Sequence, residues 1–461
     1  MTALAPTVDL PALGANGLFV SHIPLPVTDV AGAVVAELSL VPSLFVNRTL
    51  AALRKATTVP ADERVGMLTK AADLFEHATI AGHTPADYAY AVSRVGGLPI
   101  TTVEHTVGTL ANRLRLAHYT VQHARPAGAV TDWRDPLTRS GRAVWTRRGD
   151  VFAVLAAGNH PGAHSLWPEA LALGYRVAVR PSQREPFTPH RLILALRAAG
   201  FGDDQVALLP TNHDGADAIV RGADLGLAYG GADVVAKYGR DPRVVTQGPG
   251  RSKLLITRDA DWREHLDTIV DSIAGHGGVG CVNATTVLVE GDPAPLCAAL
   301  AERLSALPSL PPEHADAVLP VQPLATAKTF AVYLDAAAAN AKAWLGGDGI
   351  VDALGDGSAV LRPAVHELER ADAPQAACEL PFPCVWVAPW TRADGAAALR
   401  DTLVLTVCTD DDALVDALVE EPTIANVYVG DERTLHMAPE LPHDGYLAEF
   451  LMRTKSVIRR P

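Results

Sequence analysis

The chain is constrained most by a regular alternation of apolar runs and amphipathic segments that starts at Val151. VFAVLAAG (151–158) is apolar throughout and breaks at Gly158-Asn159-His160-Pro161. SLWPEALALG has helical spacing and stops at Gly174. RVAVRPS, QVALLP, LGLAYGG and RVVTQGPG read as further strands, with helices TPHRLILALRAAG, DGADAIVRGA and ADVVAKYG between them. Thr188 is the expected N-cap of the first of these helices, with Pro189 at its first position and Gly200 past its end. Strands covered on both faces are apolar runs, without alternation. A βαβαβ series of this length predicts an α/β fold with a parallel doubly wound sheet, whose ligands sit beyond the carboxyl ends of the strands.

Upstream, residues from about Asp29 to His123 read as consecutive helices, one of them starting near Thr58, Pro60 and Ala61. Ala129–Trp133 and Ala143–Arg147 read as the two strands of a hairpin arm at about 126–148. A second α/β series follows Gly250. It has a long helix over 261–278, the strand ATTVLVEG, the helix PLCAALAERLSAL, and later strands PCVWVAP, LVLTVCT and IANVYVG, with the helix ALVDALVEE between the last two. The closing TKSVIRRP is extended and is expected to join the arm. Gly346-Gly347-Asp348-Gly349 follows no clear strand and reads as a tight turn.

Composition narrows the partners. Lys and Arg number 39 against 52 Asp and Glu, a formal charge of −13, so phosphate backbones are repelled and no nucleic-acid partner is expected. No run of eighteen apolar residues occurs, so no membrane span is expected, and the N-terminus lacks the basic start of a secretory leader. The five cysteines form no C-x-x-C pair, which points to a reducing, cytoplasmic setting without a disulfide scaffold or zinc ribbon. No metal motif is present. Trp386 and Trp390 are expected in core and interface positions.

Three glycine-bearing segments carry the candidate chemistry: Gly158-Asn159-His160-Pro161, Gly248-Pro249-Gly250, and Gly277-Gly278-Val279-Gly280-Cys281-Val282-Asn283. A cysteine after a glycine-rich turn presents its thiol at an exposed strand end, where backbone N–H groups and an Asn side chain hold an oxyanion. For His160 and His164, beside these segments, turn and cap roles compete with proton transfer.

In this order the motifs resemble those of the aldehyde dehydrogenase superfamily, over nearly the whole chain. The family's Asn before the first helix resembles Asn159. Its K-P-S/A-E segment resembles Arg180-Pro181-Ser182-Gln183, and its G-S-T turn resembles Gly230-Gly231-Ala232 in the segment that continues to Val234. Its E-L-G-G-K-S strand end resembles Gln247-Gly248-Pro249-Gly250-Arg251-Ser252. Its nucleophile segment resembles GGVGCVNATTVLV. Its E-x-F-G-P segment resembles Glu379-Leu380-Pro381-Phe382-Pro383, with the aromatic displaced by one. The resemblance implies catalytic roles for Cys281 and Asn159, and cofactor contacts by Arg180, Ser182, Gln183, Gly230, Gly231, Val234, Gly248, Glu379 and Phe382. It implies a division into N-terminal helices and a nucleotide-binding domain (1–250), a catalytic domain (251–435) and a tail joining an oligomerisation arm (436–461), with assembly as a homodimer or homotetramer.

Two departures from the family pattern bear on function. Hydrolytic members place a Glu where this chain has Gln247, and an amide offers no base comparable to a carboxylate. An acyl group on Cys281 then waits for a thiol, as in the acylating members, whose G-x-G-N-type turn Gly248-Pro249-Gly250-Arg251 resembles. Alternatively, Glu379 or a histidine not placed by sequence activates water. Arg180 and Gln183 replace the family's Lys and Glu, so no carboxylate repels a 2′-phosphate. With Arg184 nearby, NADP(H) is expected ahead of NAD(H). The expected activity is reversible reduction of an acyl thioester, on CoA or a carrier protein, to an aldehyde through an acyl-cysteine. The alternatives are an aldehyde dehydrogenase that releases the free acid, and an inactive relative that acts as a binding protein.

Overall fold

A computed structural model describes residues 7–460. The reading of the N-terminus as leaderless falls partly on residues 1–6, outside the described residues. Two seven-stranded sheets organise the chain. In the first, the spatial order is Val244–Gln247, Leu225–Tyr229, Val151–Leu155, Arg176–Arg180, Val206–Leu208, Ala12–Gly14 and Gly17–Phe19. The first five strands are parallel, and the last two add antiparallel at one edge. The apolar runs predicted as doubly covered strands are so: Val151, Phe152, Ala153 and Val154 are inaccessible, as are Val177, Ala178 and Val179. Burying each such Val or Phe contributes roughly 1.5–3 kcal/mol.

In the second sheet the order is Lys342–Leu345, Ala364–Glu367, Cys384–Pro389, Ala284–Val289, Ser252–Ile256, Thr402–Cys408 and Ile424–Val429. All pairs are parallel except the antiparallel edge strand Lys342–Leu345. Gly346 and the residues after it turn the chain as predicted, but they follow a strand, Lys342–Leu345, that the sequence did not show. Trp386 and Trp390 are core residues. No helix among the described residues is long and apolar enough to cross a membrane.

Several local expectations are corrected. The stretch expected to be helical from Asp29 holds a strand, Val34–Leu38, paired with Val8–Leu10 and Leu25–Thr28; helices begin only at Ser43. Asp29 makes the turn, its Oδ1 accepting from the N–H groups of Ala31 and Ala33. Thr188 is not a cap: it lies inside the helix Phe187–Ala199, its N–H donates to Glu185 Oε1, and its hydroxyl lies 2.8 Å from that of Tyr88. The arm is not a hairpin. Arg142–Arg147 pairs with Met452–Val457, while Val130 makes only one isolated bridge to Val144. Tail pairing was legible, but the local partner was wrong, because Pro136–Ser140 forms a 3-10 turn that leads one strand out to meet the C-terminus.

The helix expected over 261–278 is short, Leu266–Ala274. Gly275, Gly277 and Gly278 end it, and His276 takes a φ of 56°. That early stop leaves seven residues, 275–281, free to form the loop that carries Cys281.

Candidate active site

The first sheet reverses its strand order between Val151–Leu155 and Leu225–Tyr229, the crevice where such sheets bind ligands. Gly158-Asn159 follows one of these strands and Gly230-Gly231 the other. The second sheet meets this crevice with the amino ends of its strands. Gly248-Pro249-Gly250-Arg251 links Gln247, the last residue of the first sheet, to Ser252, the first residue of the second. The Gly230 N–H donates to the Gln247 carbonyl at 3.1 Å. At Gly248, with φ +102°, a Cβ would lie 2.7 Å from the Gly230 carbonyl oxygen, so the two sequence-selected glycines meet backbone to backbone.

Cys281 is half-buried on the loop before Ala284–Val289. Its carbonyl accepts from the Ser252 hydroxyl at 3.0 Å. Asn283 ties the loop down: its Oδ1 accepts from the Gly280 N–H at 2.8 Å, and its Nδ2 donates to the carbonyls of Gly275 at 2.8 Å and Ser272 at 3.1 Å. Asn159 is exposed and donates one N–H to the Val279 carbonyl, 3.0 Å away and two residues before the cysteine. Glu379 Oε2 accepts from the N–H groups of Gly250 at 2.8 Å and Arg251 at 3.0 Å. It braces the turn beneath Cys281, and burial raises its carboxyl above the usual range.

On the far side of the crevice, Arg180 and Gln183 both donate to the Thr211 carbonyl, at 3.2 and 3.1 Å. Arg180 Nε and the Thr211 hydroxyl are buried without a partner. Orphaned polar atoms at the carboxyl end of parallel strands fit a polar ligand edge such as a dinucleotide. Ser182 packs its Cβ 2.5 Å from where a Cβ at Gly158 would stand, and its hydroxyl accepts from the Arg184 N–H. Two expectations fail here. Arg184 turns away and donates to Gln322 Oε1 at 2.8 Å, leaving Arg180 alone at the strand end. Phe382 is 1 % exposed and lies in the core of the second sheet, so it presents no face to a cofactor. Val234 is the neighbour of Gly230 across the start of the helix Ala232–Tyr238.

The aldehyde dehydrogenase family model matches residues 39–455. The chain belongs to that family. A solved NAD-dependent aldehyde dehydrogenase from Sinorhizobium meliloti superposes with a TM-score of 0.84 at 20% identity, covering 100% of this chain and 97% of that one. Malonate-semialdehyde dehydrogenase 2 of Bacillus mycoides is 26% identical over 151 residues, 31% of this chain and 31% of its own length. A Caenorhabditis elegans protein named as a probable methylmalonate-semialdehyde/malonate-semialdehyde dehydrogenase, acylating, is 24% identical over 151 residues, 31% of this chain and 29% of its own. The matched stretch thus spans about a third of the length of these curated relatives.

Sequence reasoning missed the groups that this member of the family brings to Cys281 from its C-terminal segment. His443 Nε2 lies 3.5 Å from Cys281 Sγ, and His443 Nδ1 lies 3.3 Å from Asp444 Oδ1. The Gln247 amide also donates to Asp444 Oδ1. Asn426, on the strand Ile424–Val429, donates to the His443 carbonyl. Burial works against a charged His443 ring, but the Cys281 sulfur and the Asp444 carboxylate outweigh it and push the ring up to about 10. The expected tail 436–461 therefore does two things: Met452–Val457 pairs with Arg142–Arg147, while His443-Asp444 reaches Cys281. The only signal in the sequence is a His-Asp pair before a glycine, 162 residues beyond Cys281, and no motif links the two.

The histidines that the sequence singles out take turn and packing roles, His160 as the N-cap of the 3-10 turn Pro161–Ser165. His160 Nδ1 accepts from the Gly162 N–H at 3.0 Å, and its ring stacks on His276. His164 Nδ1 accepts from Trp167 Nε1 at 3.1 Å. Burial holds both rings near 3, with His276 and His105 adding to the effect on His160, so both are neutral near pH 7.

Glu169, also unremarked in the sequence, is buried behind Tyr229. Burial raises its carboxyl to about 8, against the pull of Arg113. A carboxyl raised in the fold keeps its proton there while the unfolded chain loses it, so stability falls as pH rises from about 4.5 to about 8. Glu169→Gln is expected to match wild type near pH 4.5 and to be more stable at pH 8.5, by on the order of 1–3 kcal/mol. Thermal unfolding at the two pH values measures this. A variant that is less stable at pH 8.5 would instead show that the Glu169–Arg113 charge pair stabilises the fold.

Proposed function

We propose that this aldehyde dehydrogenase carries an acyl group on Cys281 and exchanges it with a thiol, interconverting an aldehyde and an acyl thioester with NAD(P)(H). The observation that carries the reading is Gln247. An amide stands where hydrolytic relatives hold a carboxylate, and it is bonded to Asp444, which leaves it no role as a base. The acylating name of one curated relative supports the same reading. Bound nicotinamide supplies hydride exchange with the carbon attached to sulfur. The chain supplies the rest: the Cys281 thiolate as nucleophile, Asn159 and the Cys281 N–H as oxyanion donors, and Arg180, Gln183, Ser182 and the Gly230–Gly248 contact as the dinucleotide cleft. Absence of a carboxylate at residue 183 supports NADP(H) ahead of NAD(H). The Arg142–Arg147 and Met452–Val457 pair supports assembly of copies through the arm.

A second reading, release of the free acid, is favoured by His443 beside the sulfur, since an imidazole is competent to activate water. Aldehyde, NAD(P)⁺ and protein are to be mixed with and without CoA or pantetheine, and nicotinamide absorbance and product identity followed. On the thiol reading, steady turnover needs the thiol, and without it a single burst leaves the acyl mass on Cys281. Steady acid production without thiol overturns it. Gln247→Glu returns a carboxylate to this position but gives up the amide contact to Asp444; where the new carboxylate serves as base, thiol-independent acid formation is expected to rise by roughly tenfold or more, the scale of a general base.

A further inference from the structure

We propose that His443, oriented by Asp444, is the proton acceptor of Cys281, so that the resting nucleophile is a thiolate–imidazolium pair. The inference rests on Cys281 being the nucleophile, and it holds for either acyl acceptor.

The geometry makes the assignment. Asp444 Oδ1 receives both His443 Nδ1, at 3.3 Å, and the Gln247 amide. A carboxylate only accepts, so the Nδ1 hydrogen points to Asp444 and the Nε2 lone pair faces the sulfur at 3.5 Å. Asn426 holds the His443 carbonyl from the neighbouring strand, which fixes the ring from behind. Gln247 thus has a second consequence: it positions the carboxylate that orients the ring. Glu379 and Arg251 flank the pair from the Gly250–Arg251 turn, Glu379 accepting from the N–H groups of Gly250 and Arg251, and Tyr229 lies close to it at the end of its strand in the first sheet. Its hydroxyl donates to the Ala163 carbonyl at 2.9 Å, and burial together with the charges of Cys281, Asp444 and Glu169 keeps it protonated. Tyr229 therefore adds no charge to the pair.

The step balances within the protein. The Cys281 S–H bond breaks, the proton forms an N–H bond at His443 Nε2, and the electron pair stays on sulfur. Thiolate addition to an aldehyde makes the C–S bond; a nicotinamide held by Arg180, Gln183, Ser182 and the Gly230–Gly248 contact would accept the hydride whose loss turns that carbon into a thioester. Once the sulfur is acylated its charge is gone, and the ring releases its proton to solvent. The incoming thiol or water then gives its proton to Nε2 as it bonds to the acyl carbon. The C–S bond to Cys281 breaks and the thiolate–imidazolium pair returns.

The test reads the sulfur without aldehyde, thiol or cofactor. Wild type, His443→Gln and Asp444→Asn are alkylated with iodoacetamide from pH 5.5 to 9.5, and the Cys281 peptide is quantified by mass. Ordinary thiols are about one per cent ionised at pH 6.5. The expected wild-type rate is nearly flat from pH 6 to 9. His443→Gln is expected to slow it by roughly tenfold or more at pH 6.5 and little at pH 9.5, with Asp444→Asn between the two. A wild-type rate that climbs about tenfold per pH unit through this range, like a free thiol's, overturns the proposal even if neither variant folds. So does an unchanged profile in a folded His443→Gln. Cys281 as nucleophile fails separately, if complete alkylation of Cys281 leaves aldehyde turnover intact.

Discussion

Cys281→Ala is expected to lower turnover by on the order of 10⁴-fold or more, and to remove the acyl adduct from the intact mass. The size follows from the absence of a substitute. Burial pushes the thiols of Cys297 and Cys408 up to about 12 and raises that of Cys384 as well. All three are closed off in the core of the second sheet. Cys378 is half-buried, but its sulfur faces the Tyr333 hydroxyl, and burial raises its thiol too. None of these sulfurs shares the Ser252 and Asn283 contacts that hold the 281 loop at the crevice. Folding should be little affected, because a half-buried side chain is being shortened. Equal melting temperatures with lost turnover would separate chemistry from stability. Retained turnover would remove Cys281 from the mechanism.

Gly250→Ala is expected to be severely damaging although it touches no reacting atom. A Cβ at Gly250 would lie 2.5 Å from the Cys281 carbonyl carbon and 2.7 Å from its Cα, and closer still to the carbonyl oxygen. The obstacle is backbone, so no rotamer change relieves it. The same glycine donates its N–H to Glu379 and accepts at its carbonyl from the Leu403 N–H at 2.9 Å, so it is fixed on both sides. The nucleophile loop must therefore move. A displacement near 1 Å costs about 10²-fold in rate, and overpacking of this kind costs roughly 1–3 kcal/mol or more in stability. kcat/KM and thermal unfolding measure the two. Gly66→Ala is the control: a Cβ there meets nothing within 4 Å on the helix Ala61–His77. It should leave activity unchanged and add up to about 1 kcal/mol. Wild-type rates in Gly250→Ala would mean that the turn gives way at no cost to the nucleophile.

The legible parts of this protein are those where local sequence carries the physics. Strands such as Val151–Leu155 and Arg176–Arg180 announce themselves as apolar runs, because a parallel sheet covers both faces. Glycine turns mark the strand ends where backbones meet, as Gly230 and Gly248 do. The thiol at Cys281 could be selected because its glycine-rich lead-in is itself local. Errors occur where a longer-range contact overrides that signal. Arg142–Arg147 pairs with a strand about three hundred residues away, at Met452–Val457, instead of its neighbour. Phe382 goes into the core of the second sheet, and Arg184 is captured by Gln322 from another sheet.

By itself, the sequence determined the doubly wound sheet and the family and singled out Cys281 as the candidate sulfur, since periodicity, turn chemistry and an ordered set of short motifs are properties of neighbouring residues. Only the tertiary structure decided which groups attend that sulfur. His443 and Asp444 arrive from a segment that no spacing rule connects to Cys281, and Gln247 acquires its meaning from the carboxylate it holds. Distances of a few ångströms between residues far apart in the chain are set by how the two sheets and the closing segment pack, and proton transfer depends on those distances.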